Sequence, residues 1–219
     1  MMKCDIKIMG APKRLGNISK MKSFLGLSDS DVFIDDRPNG GDAMYTARKT
    51  WTLDFAKGIT HRCVLQDDLE ICSGFKQAIN RIVNKHPDCI IGLYTSRNIS
   101  SFGTENPFIE VLGGGVWGQA VIIPKQIIPK IFEWVDSINP NYPHDDAAIS
   151  EYARLHGVKV LLTRWSLVQH LCPTDSLLRY NNKQKVSKVY IGSLDAEYIF
   201  WESNAPMSKI NIKSCVEVK

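Results

Sequence analysis

The stretch HRCVLQDDLEICSGF, from His61 to Phe75, contains the pattern that decides the fold. An apolar run at positions 63–65 is followed, after Gln66, by two adjacent acids, Asp67 and Asp68. A strand that ends in charged residues and leads into a helix is typical of an α/β sheet protein. Because two neighbouring carboxylates repel each other and lose hydration on burial, they need either a solvated turn or a positive partner such as a divalent metal ion.

Further strand and helix patterns extend this unit in both directions. Strands are predicted at CDIKIMG, DVFID, HRCVLQD and DCIIGLYTS, and the last is apolar enough to be buried on both faces. Helices between them are predicted at positions 17–26, 42–58 and 73–85, each opening on an N-cap residue: Asn17, Asp42 and Ser73. The alternation predicts a single α/β domain, a three-layer α/β/α arrangement with a mostly parallel central sheet.

The second half of the chain continues the pattern after an interruption. From Ser96 to Gly118 the sequence is polar, rich in glycine and without clear periodicity, which is typical of a functional loop. A strand at GQAVIIP, a helix opened by Pro124, a helix capped by Asp145 and a strand at KVLLT follow. We expect the domain to cover residues 1–178 and residues 179–219 to form a basic, aromatic tail packed on it.

Composition limits the classes of function. Hydrophobic residues make up 44% of the chain and charged residues 23%, which suits a globular protein with a real core. No apolar run could span a bilayer and no secretory signal is visible, so we expect a cytoplasmic protein without a membrane partner. The formal charge is +4, and the tail contributes +3 of it through seven Lys or Arg and four Asp or Glu residues. This charge permits contact with a polyanion.

Four features could form one site. Asp67 and Asp68, like Asp35 earlier, fall at the carboxyl end of a predicted strand, where ligands collect in parallel sheets. The turn GAPKR after the first strand offers two cations that could meet phosphates. The segment HDDAAISEYARLHG opens a helix with two acids, of which one could be a cap and the other a general base. His170, after the last core strand, is suited to Mn²⁺.

In this order the motifs resemble those of a GT-A-type glycosyltransferase, most closely the small bacterial and phage enzymes. The resemblance covers about residues 3 to 178 and rests on the basic turn after the first strand, VLQDD, the glycine-rich segment leading to WGQAVIIPK, HDDAAISEYA and SLVQH. One departure is that Gln66-Asp67-Asp68 stands where the family has an Asp-x-Asp metal motif. Either aspartate could therefore be the main ligand, and Asp68 is favoured.

The resemblance implies a hexosyl- or pentosyltransferase with a nucleotide diphosphate sugar as donor, a UDP-sugar being expected. Asp68 and His170 would hold Mn²⁺ or Mg²⁺, and Asp146 or Asp145 would take the proton from the acceptor hydroxyl. Whether transfer inverts or retains the sugar configuration stays open. The residues expected to contact the donor are Lys13, Arg14, Asp35, Arg48, Asp67, Gly114 and Trp117.

The acceptor is open. We rank a hydroxymethylated or otherwise modified base in double-stranded DNA slightly ahead of a glycan, a lipid-linked sugar or a protein hydroxyl, because the tail is basic and no membrane-seeking feature is visible. Two other classes remain. One is a nucleotidyltransferase, which would use a nucleoside triphosphate and release pyrophosphate. The other is a non-catalytic nucleotide- or nucleic-acid-binding α/β protein whose acid pairs are turns and caps.

Overall fold

The computed structural model describes residues 1–37, 43–95, 105–171, 186–192, 196, 199, 203 and 205–211. The strands in these ranges are β1 Cys4–Gly10, β2 Val32–Ile34, β3 His61–Gln66, β4 Leu69–Ile71, β5 Ile90–Gly92, β6 Phe108–Leu112, β7 Ala120–Pro124, β8 Val160–Thr163, β9 Val168–His170 and β10 Ser208–Asn211. The helices are α1 Leu15–Leu25, α2 Ala43–Trp51, α3 Phe75–Lys85, α4 Ile128–Ile138 and α5 Asp145–His156.

Eight strands form a central sheet in the order β10-β6-β8-β5-β7-β3-β1-β2. Four of its seven pairings are parallel, and β7 runs antiparallel to both of its neighbours. Helices flank this sheet, and α1, α2 and α3 all contact β1. The predicted α/β class with a mostly parallel central sheet is therefore confirmed. A second sheet consists of β4 and β9, paired antiparallel.

The core lies between the helices and the middle of the sheet. Every residue of β5, β7 and β8 is buried, as expected for strands covered on both faces. In α3 the buried residues recur at helical spacing, so one stripe faces the sheet and the opposite face is solvated. That stripe consists of Phe75, Ala78, Ile79, Ile82 and Val83.

The helix after β2 is shorter than predicted, because α2 ends at Trp51 and not near Gly58. The fully buried guanidinium of Arg62 explains the early end. It donates hydrogen bonds to the main-chain carbonyls of Trp51 and Leu53 and pairs with both carboxylate oxygens of Asp5. The carbonyls at the end of the helix are thus satisfied by a side chain from β3, and the chain can turn away.

The N-caps predicted at Asn17 and Ser73 are wrong. A short helical turn, Pro12–Arg14, runs directly into α1, so the chain is already helical before Asn17 and needs no side-chain cap there. Helix α3 begins after Gly74, which is left-handed at φ 67°, and has no side-chain cap. The cap predicted at Asp42 lies outside the described residues.

The prediction of one irregular loop from Ser96 to Gly118 is wrong in part. Residues 108–112 form β6, which lies between β10 and β8 in the central sheet and buries Phe108, Ile109 and Val111. The alternation in FIEVL is too short to stand out beside the glycines that follow it. Residues 96–104 lie outside the described part of the chain.

Described residues of the predicted tail contact the sheets. Strand β10 extends the central sheet by pairing parallel with β6, and Ser187 and Ile191 are buried. The limits proposed for the domain and the tail, 1–178 and 179–219, stay predictions. None of the helices in the described ranges combines the length and the apolar character needed to cross a membrane.

Candidate functional site

The carboxyl ends of β1, β2 and β3 lie side by side and carry the candidate site. Asp35 follows β2, and its main-chain N–H donates to the carbonyl of Gly10 at the end of β1, at 2.9 Å. Asp67 follows β3 on the other side of β1, and its Oδ2 accepts the N–H of Ala11 at 2.7 Å. The strand pairing therefore brings acids from distant parts of the sequence to one edge of the sheet, the edge where parallel sheets bind ligands.

Arg14 is the positive partner of the acid pair. Its Nη1 lies 2.6 Å from Oδ1 of Asp67 and 2.7 Å from Oδ2 of Asp68, so one nitrogen bridges both carboxylates. The acids need this contact because they are only 4% and 8% exposed. Burial raises the pKa of Asp67 although Arg14 opposes the change. Burial lowers the pKa of Arg14, but the two carboxylates outweigh it and raise that pKa above its usual value.

His170 reaches the two acids from far along the chain. Leu69 in β4 pairs with His170 in β9, and the N–H of Leu171 donates to the carbonyl of Asp68 at 2.8 Å. These contacts place Nε2 of His170 at 3.0 Å from Oδ2 of Asp68. The aspartate favoured as a metal ligand and the histidine expected to assist it are therefore in direct contact.

The pair formed by Asp68 and His170 fits a divalent cation. Oδ1 of Asp68 and Nδ1 of His170 are buried without a hydrogen-bond partner. Two neighbouring ligand atoms of an octahedral ion, each at about 2.1 Å, lie roughly 3.0 Å apart, which matches the separation of Nε2 and Oδ2. The described residues contain no group of three or more His, Cys, Asp or Glu side chains placed to hold a metal ion.

Asn17 holds the turn that carries the acids, a role that sequence reasoning missed. Its Nδ2 donates to the main-chain carbonyls of Asp67 at 2.7 Å and of Leu69 at 3.2 Å. The polar residue that looked like a helix cap is thus directed from α1 toward the turn after β3. Its position next to the basic turn was the available signal.

Asp35 is saturated by hydrogen bonds within the protein. Arg37 donates to both carboxylate oxygens, at 2.8 and 2.7 Å, and Thr46 donates to Oδ2 at 2.9 Å. The bonds from Arg37 are the main reason that the pKa of Asp35 falls to about 2. The guanidinium of Arg37 also stacks on the ring of Tyr45, at 3.5 Å from its centroid. Sequence reasoning missed Arg37, although it directly follows two acids at a strand end.

Arg48 lies away from this group. It forms a two-bond pair with Asp136 of α4, at 2.8 and 2.6 Å. Arg37 and Thr46 are described side chains that contact Asp35, and Thr46 belongs to the same helix, α2, as Arg48.

The two acids at the start of α5 differ in environment. Asp145 is 7% exposed and is the first helical residue, with His144 as N-cap, so Asp145 does not cap the helix as predicted. Burial, and then the charge of Asp146, raise the pKa of Asp145 to about 8. The carboxyl group lies beside a small apolar cavity that Trp51 and Phe132 also line. Asp146 is only half-buried, so it is the acid with access to solvent.

Gly118 marks the place where α5 meets the end of β3. A Cβ at Gly118 would lie 3.3 Å from Nε2 of Gln66, 3.4 Å from Oδ1 of Asp145 and 3.5 Å from Cβ of Asp146. Gln66 directly precedes Asp67, so the start of α5 and the acid turn share one edge of the sheet. The structure thus brings the two acidic motifs predicted from sequence close together.

Three further predicted residues have different surroundings. Gly114 has φ 85°, and a Cβ there would lie 2.2 Å from the carbonyl oxygen of Ser150, so it packs directly on α5. Trp117 is buried, two residues after Gly115 and next to Gly118. Lys13 is exposed in the same short turn as Arg14.

No family model and no curated protein sequence matches the chain. Among solved structures, the chain is similar to a glycosyltransferase involved in the glycosylation of the major capsid of PBCV-1. The TM-score is 0.40 and the identity 13%, over 78% of this chain and 94% of that chain. A similarity of this degree assigns neither an activity nor a site residue.

Proposed function

We propose that the protein is a metal-dependent glycosyltransferase that moves a sugar from a nucleotide diphosphate sugar, with a UDP-sugar as the first candidate, to an acceptor hydroxyl. The observation that supports this most is the cluster of Arg14, Asp67, Asp68 and His170, with both aspartates buried, at the carboxyl ends of parallel strands. A carboxylate and an imidazole in contact suit a divalent ion, and a guanidinium suits a diphosphate.

Different residues would contact the metal ion and the diphosphate of the donor. Asp68 and His170 would hold Mn²⁺ or Mg²⁺, which when bound would stabilise the negative charge that develops on the leaving diphosphate. Arg14 would donate hydrogen bonds to diphosphate oxygens, and Lys13, exposed in the same turn, would add a second positive charge. Asp67 accepts the N–H of Ala11 and so keeps the start of that turn against the acid pair.

The nucleoside and the sugar would occupy neighbouring parts of the same edge. Asp35 would act on the base or ribose through Arg37, which it holds with two hydrogen bonds. Trp117 would form a wall of the sugar pocket. Gly114 packs against α5 and would fix the chain just before Trp117 in place. Arg48 would support α2 through its pair with Asp136 and would not contact the donor.

Asp146 is the better candidate for the acceptor base. A general base must be ionised and must reach the acceptor hydroxyl. Asp145 is buried, and its raised pKa keeps it largely protonated at neutral pH, whereas Asp146 is half-buried at the same edge. Asp145 would instead position the start of α5 beside Gln66.

For the acceptor we propose a modified base in double-stranded DNA. The net charge of +4, of which +3 lies in residues 179–219, favours contact with phosphates. Binding to a duplex that contains hydroxymethylcytosine is expected to weaken steeply between 50 and 200 mM salt. Salt-independent binding would favour a glycan or protein acceptor.

The direct test is release of the nucleoside diphosphate from a panel of nucleotide sugars, with Mn²⁺ or with EDTA. We expect release from one donor with Mn²⁺ alone, and a loss of roughly a hundredfold or more in Asp68→Ala and Asp146→Ala. Lys20→Ala, on the exposed face of α1, serves as the control. Full turnover by both acid variants would refute the proposed site. Pyrophosphate release from a nucleoside triphosphate would identify a nucleotidyltransferase, and binding without any release would identify a non-catalytic protein.

A further inference from the structure

Arg14 and a divalent cation would compete for the same oxygen atom. Oδ2 of Asp68 lies 2.7 Å from Nη1 of Arg14 and 3.0 Å from Nε2 of His170. A cation held between Asp68 and His170 would therefore stand within a few ångströms of the guanidinium. Two positive groups at that separation in a buried site repel each other strongly, so both cannot occupy it with full affinity.

The acids do not depend on Arg14 alone for their position. Asp67 keeps the hydrogen bond from the N–H of Ala11, and Asn17 holds the main chain of the turn through two carbonyls. The main chain of Asp68 is fixed by the N–H of Leu171. The side chain of Arg14 could therefore leave without displacing the acid pair.

Asp68 also has a buried acceptor atom that could bind a further ligand. It is 8% exposed, and its Oδ1 is buried without a hydrogen-bond partner, which is costly for a carboxylate. Arg14 thus offsets one negative charge of the pair and leaves one acceptor of Asp68 unsatisfied. A cation that binds both Asp68 and His170 would resolve this.

We propose that Arg14 is a placeholder cation, which offsets the negative charge of the acid pair in the metal-free protein and moves to the diphosphate when the donor binds, leaving Asp68 for the metal. This inference rests on the proposed donor site. It has one consequence that a fixed phosphate-binding arginine does not have. Part of the mutual strengthening between the metal and the nucleoside diphosphate must come from Arg14 leaving Asp68, and this part is lost when Arg14 is removed.

The test measures binding of Mn²⁺ itself, by the loss of the paramagnetic resonance signal of the free ion, and needs no turnover. Titrations would use the wild-type protein, Arg14→Met and the control Lys20→Met, which loses the same charge from an exposed position on α1. We expect Arg14→Met to bind Mn²⁺ alone roughly tenfold or more tightly than Lys20→Met. After correction for Mn²⁺ bound by free UDP, we expect UDP to raise Mn²⁺ affinity at least tenfold in the wild type and by a clearly smaller factor in Arg14→Met.

Two results would overturn the inference. One is an Arg14→Met protein, or Arg14→Gln if the first variant does not fold, that binds Mn²⁺ alone no more tightly than Lys20→Met. The other is a wild-type protein that binds UDP but binds Mn²⁺ equally well with and without it. If the wild type binds no nucleoside diphosphate at all, the proposed function fails, and the comparison of variants with Mn²⁺ alone still decides whether Arg14 competes with the cation.

Discussion

Nε2 of His170 lies 3.0 Å from Oδ2 of Asp68, although the two residues are 102 positions apart in the chain. Two strands of only three residues, β4 and β9, create this contact by pairing antiparallel beyond the edge of the central sheet. Because β4 directly follows the turn that carries Asp67 and Asp68, this pairing holds β9 beside the carboxyl end of β3. The proposed metal ligands thus depend on a small sheet that is separate from the main one.

Gln169 ties a later segment of the chain to this small sheet. Its Oε1 accepts the N–H of Ser187 at 2.8 Å, and its Nε2 donates to the carbonyl of Ser187 at 3.1 Å. Gln169→Leu removes both bonds next to His170. We therefore expect the amide hydrogen of Leu171, which bonds to Asp68, to exchange at least tenfold faster, and Mn²⁺ affinity to fall several-fold. Hydrogen exchange and Mn²⁺ titration would measure these effects.

Gln126→Leu, at an exposed position before α4, is the control for the loss of a glutamine. Unchanged protection of the Leu171 amide in Gln169→Leu would show that the segment at Ser187 does not hold β9 in place.

Asp145 predicts an unusual dependence of stability on pH. Its pKa is about 8 in the folded protein against an ordinary value of 3.8, so between these values the folded state holds a proton that the unfolded chain has released. The wild type should therefore lose stability as pH rises from about 4 to 8. Asp145→Asn cannot ionise, so its free energy of unfolding relative to the wild type should increase by roughly 4 kcal/mol between pH 5 and pH 9, at about 1.4 kcal/mol for each pH unit up to pH 8. Urea denaturation at pH 5, 7 and 9 measures this difference.

Asp136→Asn is the control, because Asp136 is exposed and its pKa is lowered by the hydrogen bonds from Arg48. It should show no such trend over this range. A constant difference between Asp145→Asn and the wild type at all three pH values would mean that Asp145 ionises normally in the folded protein.

The two acids of the turn should differ in their effect on stability. Asp67 accepts the N–H of Ala11 as well as a bond from Arg14, so Asp67→Ala leaves the N–H of Ala11 without its acceptor and Arg14 with Asp68 alone, and should cost about 2–3 kcal/mol. In Asp68→Ala, Arg14 keeps its bond to Asp67, and the cost should be nearer 1 kcal/mol. Urea denaturation in EDTA measures both. A larger cost for Asp68→Ala would mean that Asp68, and not Asp67, holds the turn together.

Gly114 and Gly16 should respond in opposite ways to alanine. At Gly114 a Cβ would meet the carbonyl oxygen of Ser150 at 2.2 Å, and φ is 85°, so Gly114→Ala should destabilise the protein by about 3 kcal/mol or more. At Gly16, in α1, a Cβ would meet nothing within 4 Å, so Gly16→Ala should stabilise it by about 0.5–1 kcal/mol. Thermal unfolding compares the two. A mild effect at Gly114 would contradict its close packing on α5.

Local patterns were enough to predict the elements that carry their own signal. β1, β3 and β7 are apolar runs, and α3 has a clear helical stripe, so each appears in the structure close to its predicted position. β4 and β9 were missed because three residues cannot show a period, and their pairing partner lies about a hundred positions away. β6 was missed because it stands inside a polar, glycine-rich segment.

The sequence could predict which residues belong to the site, but not which of them contact each other. Placement at strand ends singled out Asp35, Asp67 and Asp68, and the structure places all three along one edge of the sheet. That Arg14 bridges the acid pair depends on how β1 and β3 align, and no spacing in the sequence reports this alignment. Arg37 was missed although it lies only two positions after Asp35, because the local sequence does not show that its side chain turns back onto that carboxylate.

The measurement that tests the central claim most directly is thermal unfolding of the wild type and of Asp68→Asn with UDP, alone and with Mn²⁺, compared with GDP, CMP and ATP. A ligand at a hundred times its dissociation constant adds about 2.7 kcal/mol of stability, which raises the melting temperature of a protein of this size by a few degrees. We predict a rise with one nucleoside diphosphate that requires Mn²⁺ and is absent from Asp68→Asn. No rise with any nucleotide in the presence of Mn²⁺, or an equal rise in Asp68→Asn, would contradict a metal-dependent donor site at Asp68 and His170.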